Sequence, residues 1–211
     1  MDGFKIAEHT RQVKAGDEAA CLPRAPKKIA RRLDLFYHIV MANGYAYSRY
    51  DSPVGALFTA ADARGITDIG IGLKEGDFLA GLASTSRQGI EPAFDNGRFS
   101  ALFRSFDEYF KGRAVVFSLP LNPFGTAFDR AVWNALSAIP WGAYLSYGEL
   151  ASIIGKPGAA RAVGGACGRN PIPIIVPCHR VLRSGGFIGG YSGGAGVKEK
   201  LLALEGIPFK G

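Results

Sequence analysis

Asn170-Pro171-Ile172-Pro173-Ile174-Ile175-Val176-Pro177-Cys178-His179-Arg180-Val181 is an apolar, proline-punctuated run that ends in a cysteine followed by a histidine. Pro171, Pro173 and Pro177 each lack the N–H that a helix needs, so the run reads as a short buried segment that is not helical. It carries Cys178 into the interior and turns there. A free cysteine is often no more than a small buried hydrophobe. A thiol with that task alone needs no imidazole beside it, whereas a nucleophilic thiol needs a base to make thiolate. Neighbours on a regular strand point to opposite faces. His179 can therefore serve Cys178 only where the backbone turns or a water bridges the two.

Upstream, Ser146-Tyr147-Gly148-Glu149 is a capping box, with a hydroxyl at the N-cap and a carboxylate three residues on. It predicts a helix to about Ile154. Gly155-Lys156-Pro157-Gly158 breaks that helix, and a second runs from near Ala159 to about Cys167. Helix, short glycine-containing turn, helix is the helix-turn-helix plan, although a generic αα-hairpin has the same pattern. Ala159, Ala160, Ala162, Gly164, Gly165 and Ala166 leave the second helix almost without side-chain bulk. Glycine costs about 1 kcal/mol per helix position relative to alanine, so the adjacent pair needs a reason. Close backbone approach to a partner supplies one. Arg161 then projects alone from a smooth rod, too little to read sequence in a major groove as most helix-turn-helix proteins do.

Downstream, Ser184-Gly185-Gly186-Phe187-Ile188-Gly189-Gly190-Tyr191-Ser192-Gly193-Gly194 is glycine-dense. It lacks the Gly-Lys-Ser/Thr ending of a nucleotide-binding loop. It reads instead as a pocket wall with backbone close to a flat ligand and Ser192 offering a hydroxyl. Val197 to Leu204 predicts a last helix with Leu201 and Leu204 inward and Glu205 at its end. Before the capping box, Thr126 is a candidate N-cap for a helix through about Ser137, with Phe128, Val132 and Leu136 as its core stripe and Trp133 beside them. Pro120-Leu121-Asn122-Pro123-Phe124-Gly125 is a turn-rich linker.

Residues 34–120 read as an α+β unit. Tyr45 to Tyr50 and Val54 to Ala60 alternate like strands around a Ser52-Pro53 turn, and a third strand runs from Ile66 to Ile71. Ser100 to Phe110 is helical in pattern, with Leu102, Phe103, Phe106 and Phe110 near one face. Nothing in this unit looks chemical; it is expected to brace the part that follows. Residues 1–33 form a basic extension with Lys27, Lys28, Arg31 and Arg32 close together. It reads either as a loosely docked arm or as an auxiliary phosphate-binding arm. The spacing of His9, Cys21 and His38 matches no zinc pattern.

At 211 residues the chain has ample material for a core. No apolar run approaches the ~20 residues of a membrane span, and the N-terminus has no signal-like apolar stretch. The three cysteines form no disulfide framework, and an unpaired reactive thiol suits a reducing compartment. A formal charge of +7 and a pI near 9.4 allow a polyanionic partner.

Pro177-Cys178-His179-Arg180-Val181 resembles the active-site signature of the O6-alkylguanine-DNA alkyltransferases, and the resemblance extends in order and spacing along the chain. Gly125-Thr126-x-Phe128, Val132-Trp133, Ile139-Pro140-x-Gly142, Ser146-Tyr147, Ala160-Arg161-Ala162-Val163-Gly164, Asn170-Pro171, Gly189-Gly190-Tyr191-Ser192-Gly193-Gly194 and Lys198-x-x-Leu201-Leu202-x-Leu204-Glu205-Gly206 all fit. Coverage is dense from about Pro120 and weaker from about Tyr47, where Tyr50-Asp51-Ser52-Pro53-Val54-Gly55 looks like the family's first hairpin. The resemblance implies an α+β protein. A small antiparallel-sheet, ribonuclease H-like domain over 34–120 would precede a mostly helical domain over 121–211 with a winged helix-turn-helix-like DNA-binding unit.

The same resemblance implies direct repair: the alkyl group of O6-alkylguanine, and of O4-alkylthymine with it, passes from duplex DNA to Cys178 once per molecule. His179 would take the thiol proton through a water, Glu205 would orient His179, Tyr147 would protonate the leaving base, and Asn170 would tie the helix-turn-helix to the active-site segment. Ser192, Tyr191, Lys198, Pro173 and the carbonyls of Cys178 and Val181 would surround the base and its alkyl group. Arg161 would fill the gap left by the extruded base in the minor groove, with Ala160, Ala162 and Gly164 along the docking helix. No cofactor and no metal are implied. The partner would be double-stranded DNA and not a membrane, and the protein a monomer inside the cell, on the nucleoid or, in a eukaryote, in the nucleus. The four-cysteine metal site of the larger adaptive-response proteins is missing, so phosphotriester repair is not expected. Two other readings share these motifs. One is a helix-turn-helix damage sensor or regulator without chemistry, against which the retained Cys178 argues. The other is a cysteine hydrolase, which would need an oxyanion hole and a water route to its thioester.

Overall fold

The computed structural model describes residues 44–84 and 92–211. The basic extension over 1–33 and the His9, Cys21, His38 trio lie outside the described residues. In the N-terminal half, β1 (Ala46–Ser52), β2 (Gly55–Asp62) and β3 (Gly65–Ile71) form an antiparallel meander, as the alternation predicts. Asp62 closes the second turn by accepting from the backbone N–H groups of Arg64 and Gly65. A helix and a strand of this half went unread in the sequence. One is α1 (Glu75–Ser84), a helix containing two glycines, in which Phe78 and Leu82 are buried. The other is β4 (Ala93–Phe94), a two-residue strand that adds to β1 in parallel, giving the order β3-β2-β1-β4. Helix α2 (Ser100–Phe110) buries Leu102, Phe106 and Tyr109.

In the C-terminal half, α3 (Ala127–Ser137) begins at a capping box formed by Thr126 and Asp129, and α4 (Tyr147–Ile153) at the one formed by Ser146 and Glu149. Helix α5 (Ala160–Gly168) is the second helix of the helix-turn-helix. It is pinned to α3 at two points. The indole N–H of Trp133 donates to the carbonyl of Ala166 at 2.9 Å, and Arg169 donates to buried Asp129 at 2.6 Å. Asp129 thus caps one helix and anchors the end of another. The last helix, α6 (Val197–Leu204), buries Leu201 and Leu202; Leu204, expected inward, is half-buried.

Short strands β5 (Leu145–Ser146) and β6 (Val181–Leu182) pair in parallel, Leu145 opposite Val181 and Ser146 opposite Leu182. Extending that register brings Tyr147, the first residue of α4, to the same end as Arg183. One hydrophobic cluster runs through both halves, joining Leu57, Ile66 and Phe106 to Leu136, Val163, Val181 and Leu201. The halves also meet through the main chain, where the N–H of Ile69 on β3 donates to the carbonyl of Pro171 at 2.7 Å. Among the described residues no helix is long and apolar enough to cross a membrane.

Candidate active site

The run from Ile172 to Leu182 is buried throughout. Asn170 closes it on itself. Its side-chain oxygen accepts from the N–H of Ile172 at 3.0 Å, and its amide donates to the carbonyl of Val176 at 2.7 Å and to the sulfur of Cys178 at 3.1 Å. Within this closure Ile174 holds φ at 74°, a left-handed conformation that a β-branched residue adopts only under constraint. Cys178–Arg180 then form a single 3₁₀ turn. The backbone turn that His179 needs to stand near Cys178 is therefore present.

Behind Cys178 lies a buried polar set. Nε2 of His179 is 2.8 Å from Oε1 of Glu205, and Arg180 grips the same carboxylate with Nε at 2.7 Å and Nη2 at 2.9 Å. Burial alone would push Glu205 up, but the bonds from His179 and Arg180 more than offset it and hold the carboxyl at about 2. His179 is depressed, mainly by burial, against the pull of Glu205. A neutral imidazole facing a carboxylate must present its N–H there, so Nε2 carries the proton and Nδ1 the lone pair. Among the described residues that buried Nδ1 has no hydrogen-bond partner.

Cys178 forms part of the wall of an open cavity of about 800 Å³. Tyr147, Arg161, Ala160 and Gly164 line one side, and Gly189, Tyr191 and Ser192 the other. Burial raises the thiol of Cys178, opposed by the Asn170 amide and the charge of Lys198. Cys167 shares the cavity but is pushed up to about 12 by burial and by Cys178, so it stays a thiol at neutral pH. Tyr147 is also raised, chiefly by burial, and remains a proton donor. A Cβ at Gly189 would lie 2.8 Å from the Tyr147 hydroxyl, so glycine there makes room for that tyrosine. Arg161 and Ala162 are exposed on α5.

Three expected cavity residues stand elsewhere. Pro173 is buried within the folded-back run and is not part of the wall, which the run reaches at Cys178. Lys198 is 1% exposed, and its ammonium donates to the carbonyl of Val181 at 2.6 Å. Lys198 and Val181 therefore engage each other behind the wall, and the charge of Lys198 reaches Cys178 from there. Four residues were missed, among them Arg180, which holds Glu205. Cys167 and Arg183 line the cavity. Tyr109, from the N-terminal half, donates its hydroxyl to Oε1 of Glu205 at 2.8 Å. A signal for Tyr109 was present: it continues the buried stripe of Leu102 and Phe106, and a buried tyrosine hydroxyl needs a partner.

The chain matches the family described as 6-O-methylguanine DNA methyltransferase, ribonuclease-like domain, over residues 45–123, and its DNA binding domain over 127–207. It is 43% identical over 164 residues to the methylated-DNA–protein-cysteine methyltransferase of Haemophilus influenzae, covering 77% of this chain and 87% of that protein. The protein of that name from Methanosarcina acetivorans is 42% identical over 161 residues, covering 76% and 97%. The crystal structure of the Mycobacterium tuberculosis O6-methylguanine methyltransferase superposes with a TM-score of 0.65 at 40% identity, over 76% of this chain and 92% of that one. The same organism's OGT in complex with DNA gives 0.66 at 42% identity, with the same coverage. With both domains matched and relatives about 43% identical over most of their length, the chain belongs to the family of methylated-DNA–protein-cysteine methyltransferases.

Proposed function

We propose that this chain repairs duplex DNA by moving the alkyl group of O6-alkylguanine, and of O4-alkylthymine, irreversibly to Cys178, each molecule acting once. The observation that carries this reading is a cysteine in the wall of an open cavity, backed by a neutral histidine whose second nitrogen is committed to a carboxylate. At rest the thiol is protonated. Nδ1 of His179 takes its proton through a water, and Glu205 stabilises the imidazolium that forms. The thiolate attacks the sp³ carbon in line; the S–C bond forms as the C–O6 bond breaks. Tyr147 protonates the leaving guanine at N3. Ser192 and the Cys178 carbonyl hold the base, and Tyr191 covers it. The product is a thioether that water does not readily cleave.

Neither glycine of the α5 pair is required by the protein's own packing. A Cβ at Gly164 would meet Tyr147 at an ordinary 3.7 Å, and one at Gly165 would meet only the end of the Arg169 side chain at 3.2 Å. Close approach of a minor groove explains both, with Ala160 and Ala162 adding little bulk and Arg161 entering the duplex where the base has left. The protein acts as a monomer within the cell, where reducing conditions keep Cys167 and Cys178 free.

The test is intact mass and peptide mapping after incubation with duplex DNA carrying O6-methylguanine. One methyl should appear on Cys178 and stay there, and Cys178→Ala should bind DNA without accepting it. An unmodified protein that binds the lesion would make it a sensor instead.

A further inference from the structure

Glu205 is held by both halves of the molecule. Oε1 accepts from His179 at 2.8 Å, from Arg180 at 2.9 Å and from the Tyr109 hydroxyl at 2.8 Å. Tyr109 lies on α2, is fully buried, and stands 96 residues away in sequence. Its ring meets Phe110 edge-on at 5.1 Å and Trp141 at 5.3 Å, and Phe117 lies 6.0 Å away. Such a box leaves the hydroxyl one direction, toward the carboxylate.

We infer that Tyr109 is a positioning residue of the transfer reaction: its hydroxyl shares Oε1 of Glu205 with His179, fixing how the carboxylate faces the imidazole and limiting how strongly it draws on the Nε2 proton. A carboxylate oxygen has two lone pairs, and here three donors divide them. Each added donor disperses the negative charge that the imidazole feels. Burial and the charge of Glu205 keep the Tyr109 hydroxyl protonated far above neutral pH, so it donates under all working conditions. The other groups acting on His179 are Arg180 and Lys198, which both oppose its protonation. Tyr191 also feels Glu205 and Tyr109, and Cys178 as well, but remains protonated. With the Tyr109 bond in place, His179 stays neutral at rest and Nδ1 stays available. Without it, Glu205 holds the Nε2 proton more strongly and His179 protonates at higher pH.

The inference rests on the reading of His179 as the base. Its primary test does not require alkyl transfer. In the full chain, the ¹⁵N imidazole signals of the three histidines are assigned with His9→Gln and His38→Gln. Tyr109→Phe should raise the His179 titration midpoint by about half to one pH unit, since one hydrogen bond to its partner is lost. The acid limb of the rate with free O6-benzylguanine should move the same way. Difluorotyrosine at 109, a stronger donor, should move both down. Leu102→Ala, two turns away on the same helix and outside the box, should lower Tm and leave both midpoints in place. A lowered Tm with unmoved midpoints in Tyr109→Phe would reduce Tyr109 to packing. Absence of transfer in every variant, with the His179 midpoint still shifting, would sink the functional reading and leave only the coupling of Tyr109 to His179 through Glu205.

Discussion

The N-terminal and C-terminal halves share one core but carry opposite kinds of structure. The first is a meander with a single register shift and two helices, and among the described residues Arg98 is its one buried charged side chain. The second holds the left-handed Ile174, the buried His179–Glu205–Arg180 set and the glycine-dense wall. A left-handed β-branched residue costs on the order of 1–3 kcal/mol and persists only where its surroundings over-determine it. The constraint comes partly from outside the strained half. Ile69 takes the carbonyl of Pro171, and Tyr109 takes an oxygen of Glu205. Reactivity and rigidity are thus divided between the halves, and the reactive half depends on the rigid one.

The largest expected effect tests that dependence. Phe106 is fully buried in the shared cluster and touches no reacting group. Phe106→Ala should cost about 3–5 kcal/mol and lower the urea midpoint of fluorescence and of alkyl transfer together, in one transition. Two separated transitions, with transfer surviving the first, would show that the halves are independent and break the comparison.

Arg161 should behave in the contrary way. It is exposed at the cavity rim, so Arg161→Ala should leave Tm within about 1 °C, as surface changes do. Extruding a base costs a few kcal/mol, and a residue that fills the gap offsets part of it. Repair in duplex DNA should therefore slow about a hundredfold while the reaction with free alkylated base is unchanged. Equal losses on both substrates would make Arg161 structural.

The two halves were also unequally legible in the sequence. The Ser146–Glu149 capping box, the Thr126 N-cap and the glycine break could be read because each leaves a local chemical mark: a hydroxyl three residues before a carboxylate, a hydroxyl before an apolar stripe, or a turn that only glycine suits. The three main strands could be read from alternation. Helix α1 and strand β4 could not, since two glycines dilute the helical period and two residues have no period at all. At the site, the Cys178–His179 pair was legible because neighbouring reactive residues are rare. The setting of Pro173 and Val181 could not be read, because facing inward or toward the cavity depends on how the buried run folds back, which Asn170 decides through three bonds. Tyr109 was missed because its partner lies 96 residues on.

A smaller effect separates the halves by pH. The shifted groups at the site are mostly in the C-terminal half. His179 is depressed when folded, so below about 6.5 the unfolded chain binds a proton that the folded one does not, and stability falls as pH falls. Glu205, at about 2 when folded, adds a second loss as pH drops below its usual value of 4.5. Asp129, lowered by Arg169 and Thr126 despite the opposing cost of burial, loses its bonds in the same direction. At the other end, Cys178 and Cys167 are raised, so stability declines as pH climbs past 9.0, where the unfolded thiols ionise first. The urea midpoint should form a dome between these limits, and Glu205→Gln should flatten its acid side. A midpoint constant from pH 7 to 4 would contradict the burial of His179 in its neutral form.

The finest effect concerns how the rigid half sets the width of the reactive one. Gly193 lies between Tyr191 and Ile71: a Cβ there would stand 2.5 Å from Cε1 of Tyr191 and 3.1 Å from Cδ1 of Ile71. Ile71 is on β3 and packed in the shared core, which leaves its terminal methyl little room to give. A methyl at 193 must therefore push the Tyr191 ring, which lines the cavity with Cys178. Overpacking of this kind costs about 1–3 kcal/mol, and it falls on whichever substrate needs the displaced space. Gly193→Ala should slow benzyl transfer from free O6-benzylguanine about tenfold and change methyl transfer from duplex DNA by less than about twofold. Gly193→Trp should block benzyl transfer altogether. Adding Ile71→Ala to Gly193→Ala opens space on the core side, so the ring can return and benzyl transfer should recover. Equal slowing of both substrates in the single variant, or no recovery in the double one, would mean that Ile71 does not set the pocket's width and that Tyr191 is held from the C-terminal half alone.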